Sequence, residues 1–329
     1  MTVTMKIWTG SSVPRVGMGC WAIGGPMKAG DLPTYYGAVD DDESRRALRL
    51  AYDLGARVFD TAANYGAGHS ETLIGEEISR YDDAVIVTKF GYVVDEVDKT
   101  WGPYLVSPEG IRQTINDSRR RLRRDVIDLA LLHINEFPAE EAEPIFEALV
   151  GLHEEGKIRA FGWSTDFIES ARAFAHLPGF VAIENDYNVF TPAREVMALC
   201  EQDGFVSLSR LPLAMGLLTG KYRPDDKLAG DDIRAQNVSW LRFFKNGKPN
   251  AAYLDGIAAI RDLLQTGERT LAQGALGWIL AKSPVALPVP GFKTEAQVRD
   301  NLGTLEKGPL PAAVMTEIDK VLKDFAVID

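Results

Sequence analysis

Apolar strand-like segments alternate with helix-like segments along almost the whole chain, and this alternation restricts the fold more than any other feature. Eight short segments have the apolar character of buried strands. They are Val16–Trp21, Arg57–Ala62, Ala84–Phe90, Ile127–Ile134, Arg159–Ser164, Phe180–Asn185, Phe205–Leu211 and Val285–Pro290. Repeated strand and helix units predict a parallel (β/α)8 barrel, and 329 residues are enough for one. A doubly wound open sheet is the alternative.

No linker rich in Pro, Gly or Ser interrupts this pattern, so we expect residues 1–329 to form one barrel domain. Helix starts are marked locally: Ser107 is a predicted N-cap with Pro108 at the first helical position. Three connections after strands are long, and they would overhang one face of the barrel. They span residues 24–41, 91–105 and 222–250. Their aromatic residues either wall a pocket or plug the barrel mouth: Tyr35, Tyr36, Tyr92, Trp101, Tyr104, Trp240, Phe243 and Phe244.

Charge and cysteine content exclude several classes of protein. The net charge of −11 argues against a general affinity for nucleic acid or anionic membrane, because both require a positive surface. It still allows a local basic pocket for a phosphate. Two distant cysteines, Cys20 and Cys200, and four histidines provide neither a disulfide framework nor a metal-site spacing. Without a signal peptide or a membrane-length apolar run, a cytoplasmic protein is expected.

Four polar residues lie at or just beyond the ends of three successive predicted strands. Asp60 ends the second strand, and Tyr65 follows five positions later in front of Gly66. Lys89 and His133 end the next two strands. Catalytic groups of a parallel barrel gather at the C-terminal ends of its strands, so we expect these four side chains to meet.

These four residue types together suit proton delivery to a carbonyl oxygen. An isolated tyrosine is a poor acid at neutral pH, and a nearby cation lowers its pKa. Lys89 would supply that cation, Asp60 would hold the lysine, and His133 would orient the carbonyl. Each residue also has an ordinary interpretation, such as a turn cap, a loop pair, a strand exit or a core histidine. Their joint spacing favours the catalytic interpretation.

The stretch from Phe59 to Gly66, followed by Ser70-Glu71 and Leu73-Ile74-Gly75, resembles the first signature of the aldo-keto reductases. Lys89 and His133 match the other two catalytic positions, and the resemblance runs from Gly17 to Asn301. It implies a barrel that binds NADPH or NADP+ across the strand ends. In that family the tyrosine is the acid, and hydride passes to a small-molecule aldehyde or ketone.

The resemblance also implies a set of cofactor-binding residues. Around the nicotinamide they are Trp21, Ser164, Thr165, Glu184, Arg210, Leu211, Pro212 and Leu213. Thr165 replaces the usual asparagine and Glu184 the usual glutamine, while Arg210 stands where many members have a stacking tyrosine. In the family, a loop after the seventh strand covers the bound cofactor. The matching residues here are Gly216, Leu218 and Lys221. The site for the adenosine phosphate contributes Gly291, Lys293, Thr294, Gln297, Asp300 and Asn301. Here Thr294 begins a predicted helix whose N-terminus would favour a phosphate.

Two other hypotheses remain open at this stage. Lys89 would serve as the Schiff-base nucleophile of a barrel aldolase, or the chain would be a regulatory subunit that senses the cofactor and retains weak reductase activity. The sequence identifies neither the substrate nor the oligomeric state.

Overall fold

Eight parallel strands form the barrel in the computed structural model, which describes residues 3–323. Each strand pairs with its neighbour in the chain, from first to last. The strands are β1 Met18–Gly19, β2 Val58–Asp60, β3 Val85–Phe90, β4 Leu129–Leu132, β5 Phe161–Ser164, β6 Phe180–Asp186, β7 Val206–Arg210 and β8 Ala286–Pro288. The predicted (β/α)8 barrel is therefore confirmed.

The first and last strands close the barrel through backbone groups. The amide of Gly17 donates to the carbonyl of Pro288 at 2.9 Å, and that of Gly19 donates to Pro290 at 3.0 Å. A Cβ atom on Gly19 would lie 2.5 Å from the carbonyl oxygen of Val289. Only glycine lets the two segments approach this closely, and the closure overturns the open-sheet alternative.

Ten helices lie outside the strands within the described residues. They are α1 Asp41–Asp53, α2 His69–Glu77, α3 Pro108–Leu122, α4 Glu143–Glu154, α5 Ile168–Phe174, α6 Arg194–Asp203, α7 Ala251–Leu264, α8 Leu271–Lys282, α9 Glu295–Lys307 and α10 Ala312–Lys323. Ser107 caps α3 as predicted, since its hydroxyl accepts from the Gly110 amide. Within residues 3–323, none of the helices has the length and apolar character needed to cross a membrane.

The barrel interior is apolar at the N-terminal ends of the strands. Its side chains alternate along the strands and form one buried cluster: Val58, Val85, Val87, Leu129, Leu131, Ala182, Val206, Leu208 and Leu287. Ile7 and Val13, from the hairpin Thr4–Lys6 and Ser12–Pro14, complete it. Because successive strand residues face opposite sides, the next inward positions towards the C-terminal ends include Asp60, Lys89 and Glu184.

The long connections build additional structure at the C-terminal face. The segments Lys28–Ala29, Leu32–Pro33, Tyr92–Asp95 and Thr100–Tyr104 form a small sheet, and Phe244–Lys245 pairs with Lys248–Pro249. Short 3-10 helices cover Ala139–Glu141, Ala214–Thr219 and Ile233–Ala235. The aromatic residues of these connections separate into two groups. Phe243 and Phe244 are buried in a second apolar core, whereas Tyr92 packs against His133.

Candidate active site

The four predicted catalytic residues meet at the C-terminal ends of β2, β3 and β4. Lys89 Nζ lies 2.6 Å from Asp60 Oδ1 and 3.3 Å from the Tyr65 hydroxyl. The Tyr65 and His133 rings meet edge to face, with 5.6 Å between their centroids. The geometry therefore brings all four side chains together, as their positions along the strands predicted.

Lys89 is surrounded by oxygen atoms. Besides Asp60 and Tyr65, its ammonium donates to the carbonyl of Thr61 at 2.9 Å, and Glu184 Oε2 lies 3.3 Å away. Burial lowers the pKa of Lys89, but the charges of Asp60 and Glu184 outweigh burial and raise the pKa above its ordinary value. The ammonium is consequently charged at neutral pH, with three acceptors for its three protons.

Tyr65 is held by a tight turn and by Trp21. Gly66 has a φ of +60°, and a Cβ there would lie 1.8 Å from the carbonyl oxygen of Gly24. The Trp21 ring stacks on Tyr65 with centroids 5.8 Å apart, and its indole nitrogen donates to the carbonyl of Thr34. Close backbone approach explains the glycine after the tyrosine, and the stack fixes the phenol ring.

The pKa of Tyr65 differs in direction from the sequence-based expectation. Burial raises the pKa of the phenol, and Lys89 lowers it by a smaller amount, so the net pKa lies above the ordinary value. Asp60 and Glu184 add to the rise. The sequence identified Lys89 as the nearby cation, but it did not show how deeply the Tyr65 hydroxyl is buried. The phenol is protonated at neutral pH, which is the form that an acid requires.

His133 is neutral in this environment. Burial lowers the pKa of its imidazole well below the ordinary value, and the charges of Lys89 and Arg210 lower it further. Its Nδ1 atom is buried and has no hydrogen-bond partner among residues 3–323. A neutral imidazole beside Tyr65 is suited to hydrogen bonding with a substrate oxygen.

Glu184 lies near the C-terminal end of β6, where it pairs with Ser164 of β5. Its side chain is 3% exposed, and within the described residues its Oε2 atom has an ion pair with Lys89 but no hydrogen bond. Burial and the charge of Asp60 raise the pKa of Glu184 to about 7, although Lys89 and Arg210 oppose the rise. Burial therefore favours the protonated form of this carboxyl group.

Arg210 is fixed by a polar network that the sequence did not reveal. Its Nε donates to Asp186 Oδ1 at 2.7 Å, and Nη1 donates to the hydroxyl of Ser164 at 3.2 Å. Asp166 also accepts from it. Arg242, from the connection 222–250, donates to Asp186 Oδ2 at 2.9 Å. No local motif marks Asp166, Asp186 or Arg242, because the contacts join separate loops.

Several predicted cofactor residues have structural roles within residues 3–323. Thr165 Oγ1 donates to the carbonyl of Asn135 at 2.8 Å and accepts from the Phe167 amide. Leu213 and Leu218 belong to the second apolar core, and Pro212 is buried. Leu211 and Gly216 have positive φ angles and shape the turn after β7. Backbone hydrogen bonds within the turn, such as those from the amides of Gly216 and Leu218 to the carbonyl of Leu213, hold its shape.

Lys221 and Lys293 lie close to Arg234, which the sequence did not single out. We call these three residues the cation cluster. Burial and the Arg234 charge lower the pKa of both lysines. The Arg234 guanidinium lies 4.9 Å from the Tyr36 ring centroid and bonds Asp232 at 2.6 Å. Cations that repel one another in this way are suited to phosphate binding.

The predicted adenosine-phosphate segment is partly occupied by internal contacts. Lys293 Nζ donates to the carbonyls of Tyr36 and Ala38, and the Lys293 amide donates to Gln297. Thr294 caps α9 as predicted. Asn301 donates to the carbonyl of Gly291 at 3.2 Å. Asp300 instead accepts from Thr270 at the start of α8, so its carboxylate is committed to helix packing.

The residues present fit a dinucleotide cofactor. Among the described residues, a buried carboxyl oxygen of Glu184 beside the predicted catalytic residues has only its ion pair with Lys89, and the cation cluster provides positive charge for phosphates. When bound, such a cofactor would supply the hydride. Ser164 and Glu184 would contact its nicotinamide end, and the cation cluster would contact its phosphates.

Comparison with known proteins identifies the family and agrees with the fold. The model of the Aldo/keto reductase family matches residues 15–323. The chain is 30% identical to the aldo-keto reductase yakc of Schizosaccharomyces pombe, over 100% of this chain and 94% of that protein. It is 29% identical to the NADH-specific methylglyoxal reductase of Escherichia coli, over 96% and 97%. The glycerol dehydrogenase structure from Gluconobacter oxydans matches with a TM-score of 0.82 and 29% identity, over 99% and 97%.

Fold and site together define an oxidoreductase that uses a nicotinamide cofactor. The chain belongs to the aldo-keto reductase family. The family acts on small-molecule carbonyl compounds.

Proposed function

We propose that this protein reduces an aldehyde or ketone to an alcohol with NADPH, reversibly, and that Tyr65 is the general acid. The observation that carries this proposal is the position of Lys89 Nζ between Asp60 Oδ1 and the Tyr65 hydroxyl. A buried cation beside a protonated phenol stabilises the phenolate that forms when the proton leaves.

The proton passes from Tyr65 to the substrate oxygen. The Tyr65 hydroxyl gives its proton to the substrate oxygen as that oxygen becomes an alkoxide. The remaining phenolate faces the Lys89 ammonium, whose charge Asp60 maintains. Neutral His133 donates a hydrogen bond to the same substrate oxygen and orients it. In the reverse direction the phenolate takes the proton from the alcohol.

An aromatic wall beside Tyr65 and His133 supports substrates that carry an aromatic or apolar group. Trp21 stacks on Tyr65, and Tyr92 meets His133 edge to face at 6.0 Å. Trp101 packs against Tyr92 at 4.6 Å. The opposite side, around Arg210 and Asp186, is charged. Apolar and polar parts of a ligand would therefore separate across the site, with the substrate on the aromatic side.

NADPH is proposed as the cofactor because the cation cluster suits its additional phosphate. The yakc protein carries NADP(+) in its name, whereas the Escherichia coli relative is named as NADH-specific. The geometry argues against the aldolase hypothesis, because Lys89 is buried, charged and bonded to three acceptors, and a Schiff-base nucleophile must be neutral. The intact catalytic set argues against a purely regulatory role.

The test is an NADPH oxidation screen across aromatic aldehydes, α-keto aldehydes and sugars, followed in both directions. Tyr65→Phe should lower kcat by about 10²–10⁴-fold and leave NADPH affinity nearly unchanged. Tyr52→Phe is the matched control, because Tyr52 lies on α1 and stacks on Tyr81, outside the site. A Tyr65→Phe protein that kept more than about a tenth of the wild-type kcat would contradict the assignment.

A further inference from the structure

Glu184 is the one buried carboxyl group near Lys89 that lacks a hydrogen bond, within the described part of the chain. Lys89 has three protons, and three acceptors take them: Asp60 Oδ1, the Thr61 carbonyl and the Tyr65 hydroxyl. Glu184 Oε2 is a fourth oxygen at 3.3 Å, and it shares the Lys89 charge with Asp60. One ammonium compensates only one of these two carboxylates, so the second requires a proton or a further positive charge.

The charges that face Glu184 come from every strand end around it. Asp60 on β2 is negative, while Lys89 on β3 and Arg210 on β7 are positive. Tyr65 is neutral, and Ser164 on β5 contributes only a hydroxyl. Asp60 and Glu184 pair with Lys89, Asp166 and Asp186 pair with Arg210, and Asp186 also pairs with Arg242. With Glu184 ionised, four carboxylates face three cations, which leaves one excess negative charge in a desolvated site.

From this arrangement we propose that Glu184 is a charge-selective residue that favours the oxidised, positively charged nicotinamide over the reduced, neutral one. The inference rests on the proposed function, because it places the nicotinamide end of the cofactor against Glu184. Glutamine, which the family usually has at this position, would carry no charge. The substitution therefore changes the relative affinity for the two redox states and leaves the rest of the binding site intact.

The physical consequence is a proton linkage. Burial and the nearby Asp60 carboxyl group raise the pKa of Glu184 to about 7, and burial raises the pKa of Asp60 as well, so the two carboxyl groups titrate as a pair. A cation that binds beside Glu184 favours the ionised form and expels the proton. By linkage, affinity for NADP+ rises as pH increases through the Glu184 pKa, while affinity for NADPH gains nothing from this ionisation. Rising pH thus shifts the enzyme towards alcohol oxidation at the cofactor-binding step.

The experiment measures binding, not turnover. Dissociation constants for NADP+ and NADPH are determined by quenching of tryptophan fluorescence from roughly pH 5.5 to pH 8.5, which brackets the Glu184 transition. The ratio of the two constants removes the titration of the 2′-phosphate, which both cofactors share. Tyr65 and Lys89 have raised pKa values and His133 a strongly lowered one, so they contribute little across this range. Burial also raises the pKa of Asp60, and the Glu184→Gln variant separates its titration from that of Glu184.

In the wild type, the preference for NADP+ over NADPH should increase by roughly tenfold or more across the range. Calorimetric titrations in two buffers of different ionisation enthalpy should show proton release when NADP+ binds near neutral pH. Glu184→Gln should remove both effects and weaken NADP+ selectively. Glu195→Gln, an equal loss of charge on the exposed surface of α6, should retain both effects.

The role of Glu184 and the proposed function fail on different outcomes. A ratio in the wild type that does not change with pH, with both cofactors bound, overturns the role of Glu184 and leaves the proposed function standing. Failure of both cofactors to bind overturns the proposed function as well. The wild-type titration decides the matter even if Glu184→Gln does not fold. Proton release that persists in a folded Glu184→Gln protein would assign the linkage to another group and overturn the inference.

Discussion

The carboxylate of Glu43 accepts a hydrogen bond of 2.9 Å from the backbone amide of Glu295, the first residue of α9. Glu43 lies on α1, and its other oxygen accepts from Arg46 at 2.7 Å. The amide is one of the donors that the predicted phosphate site would use. The N-terminus of α9 thus has a carboxylate where a 2′-phosphate is predicted, and a phosphate bound there would compete with Glu43 for the amide.

Cofactor preference should therefore depend on Glu43 and Lys293 in opposite directions. Glu43→Gln should increase kcat/KM for NADPH relative to NADH several-fold, because it removes a competing charge. Lys293→Ala should raise the KM for NADPH and hardly affect NADH. Both effects should weaken at high salt. The measurement is kcat/KM with both cofactors at low and high ionic strength.

Glu295→Gln is the control for cofactor preference, since it removes an equal charge next to the same amide without freeing the donor. An effect of Glu295→Gln as large as that of Glu43→Gln would mean that general charge, not competition for the amide, sets the preference. Equal losses for NADPH and NADH in Lys293→Ala would show that Lys293 does not read the 2′-phosphate.

Lys89 and Asp60 should act as one unit in catalysis. The bond of 2.6 Å between them makes the charge of each depend on the other. Lys89→Met and Asp60→Asn should each lower kcat by about 10²-fold or more, and the double variant should be little worse than the poorer single variant. Lys282→Met, which breaks the exposed pair with Asp319, should leave kcat unchanged. Losses that multiply would assign Lys89 and Asp60 separate functions.

Gly66→Ala should destabilise the protein and displace Tyr65. The added Cβ would overlap the carbonyl oxygen of Gly24 at a positive φ, so the turn must move. We expect a loss of about 1–3 kcal/mol in the free energy of unfolding, measured by urea denaturation, together with lower kcat. Gly151→Ala, in open space on α4, should be neutral or slightly stabilising. Equal stability of the two variants would contradict the close approach of Gly66 and Gly24.

The pair Glu71–Arg121 should be important for stability, not for catalysis. Arg121 Nε donates to Glu71 Oε2 at 2.6 Å, and the Glu71 side chain is fully buried. Arg121→Met leaves that carboxylate without its cation and should reduce the free energy of unfolding by about 3–5 kcal/mol. Arg112→Gln, at an exposed pair with Glu155, should cost at most about 1 kcal/mol. Similar losses in both variants would contradict the distinction between buried and exposed pairs.

Much of the candidate site could be predicted from local sequence. Asp60, Lys89 and His133 end apolar strands, and the structure places all three beside Tyr65. The resemblance also predicts Lys221 and Lys293 as cofactor-binding residues, and the two side chains lie close together. Local sequence does not predict the positions of Arg234 and Arg242. Both belong to the long connection 222–250, whose course depends on contacts with distant residues. Thr165 and Asp300 were selected by resemblance, yet their side chains bond within the protein.

The sequence by itself determined the order of strands and helices, the (β/α)8 fold and the face of each strand that turns inwards. Alternation and helix caps are local properties, so Val87 and Lys89, two residues apart, must share a face. Only the tertiary structure decided how the strand ends meet. That meeting sets the direction of the Tyr65 pKa shift and places Glu184 beside a Lys89 ammonium that Asp60 already shares. These properties depend on distances and desolvation between segments far apart in the chain, which closure of the barrel and packing of its loops establish.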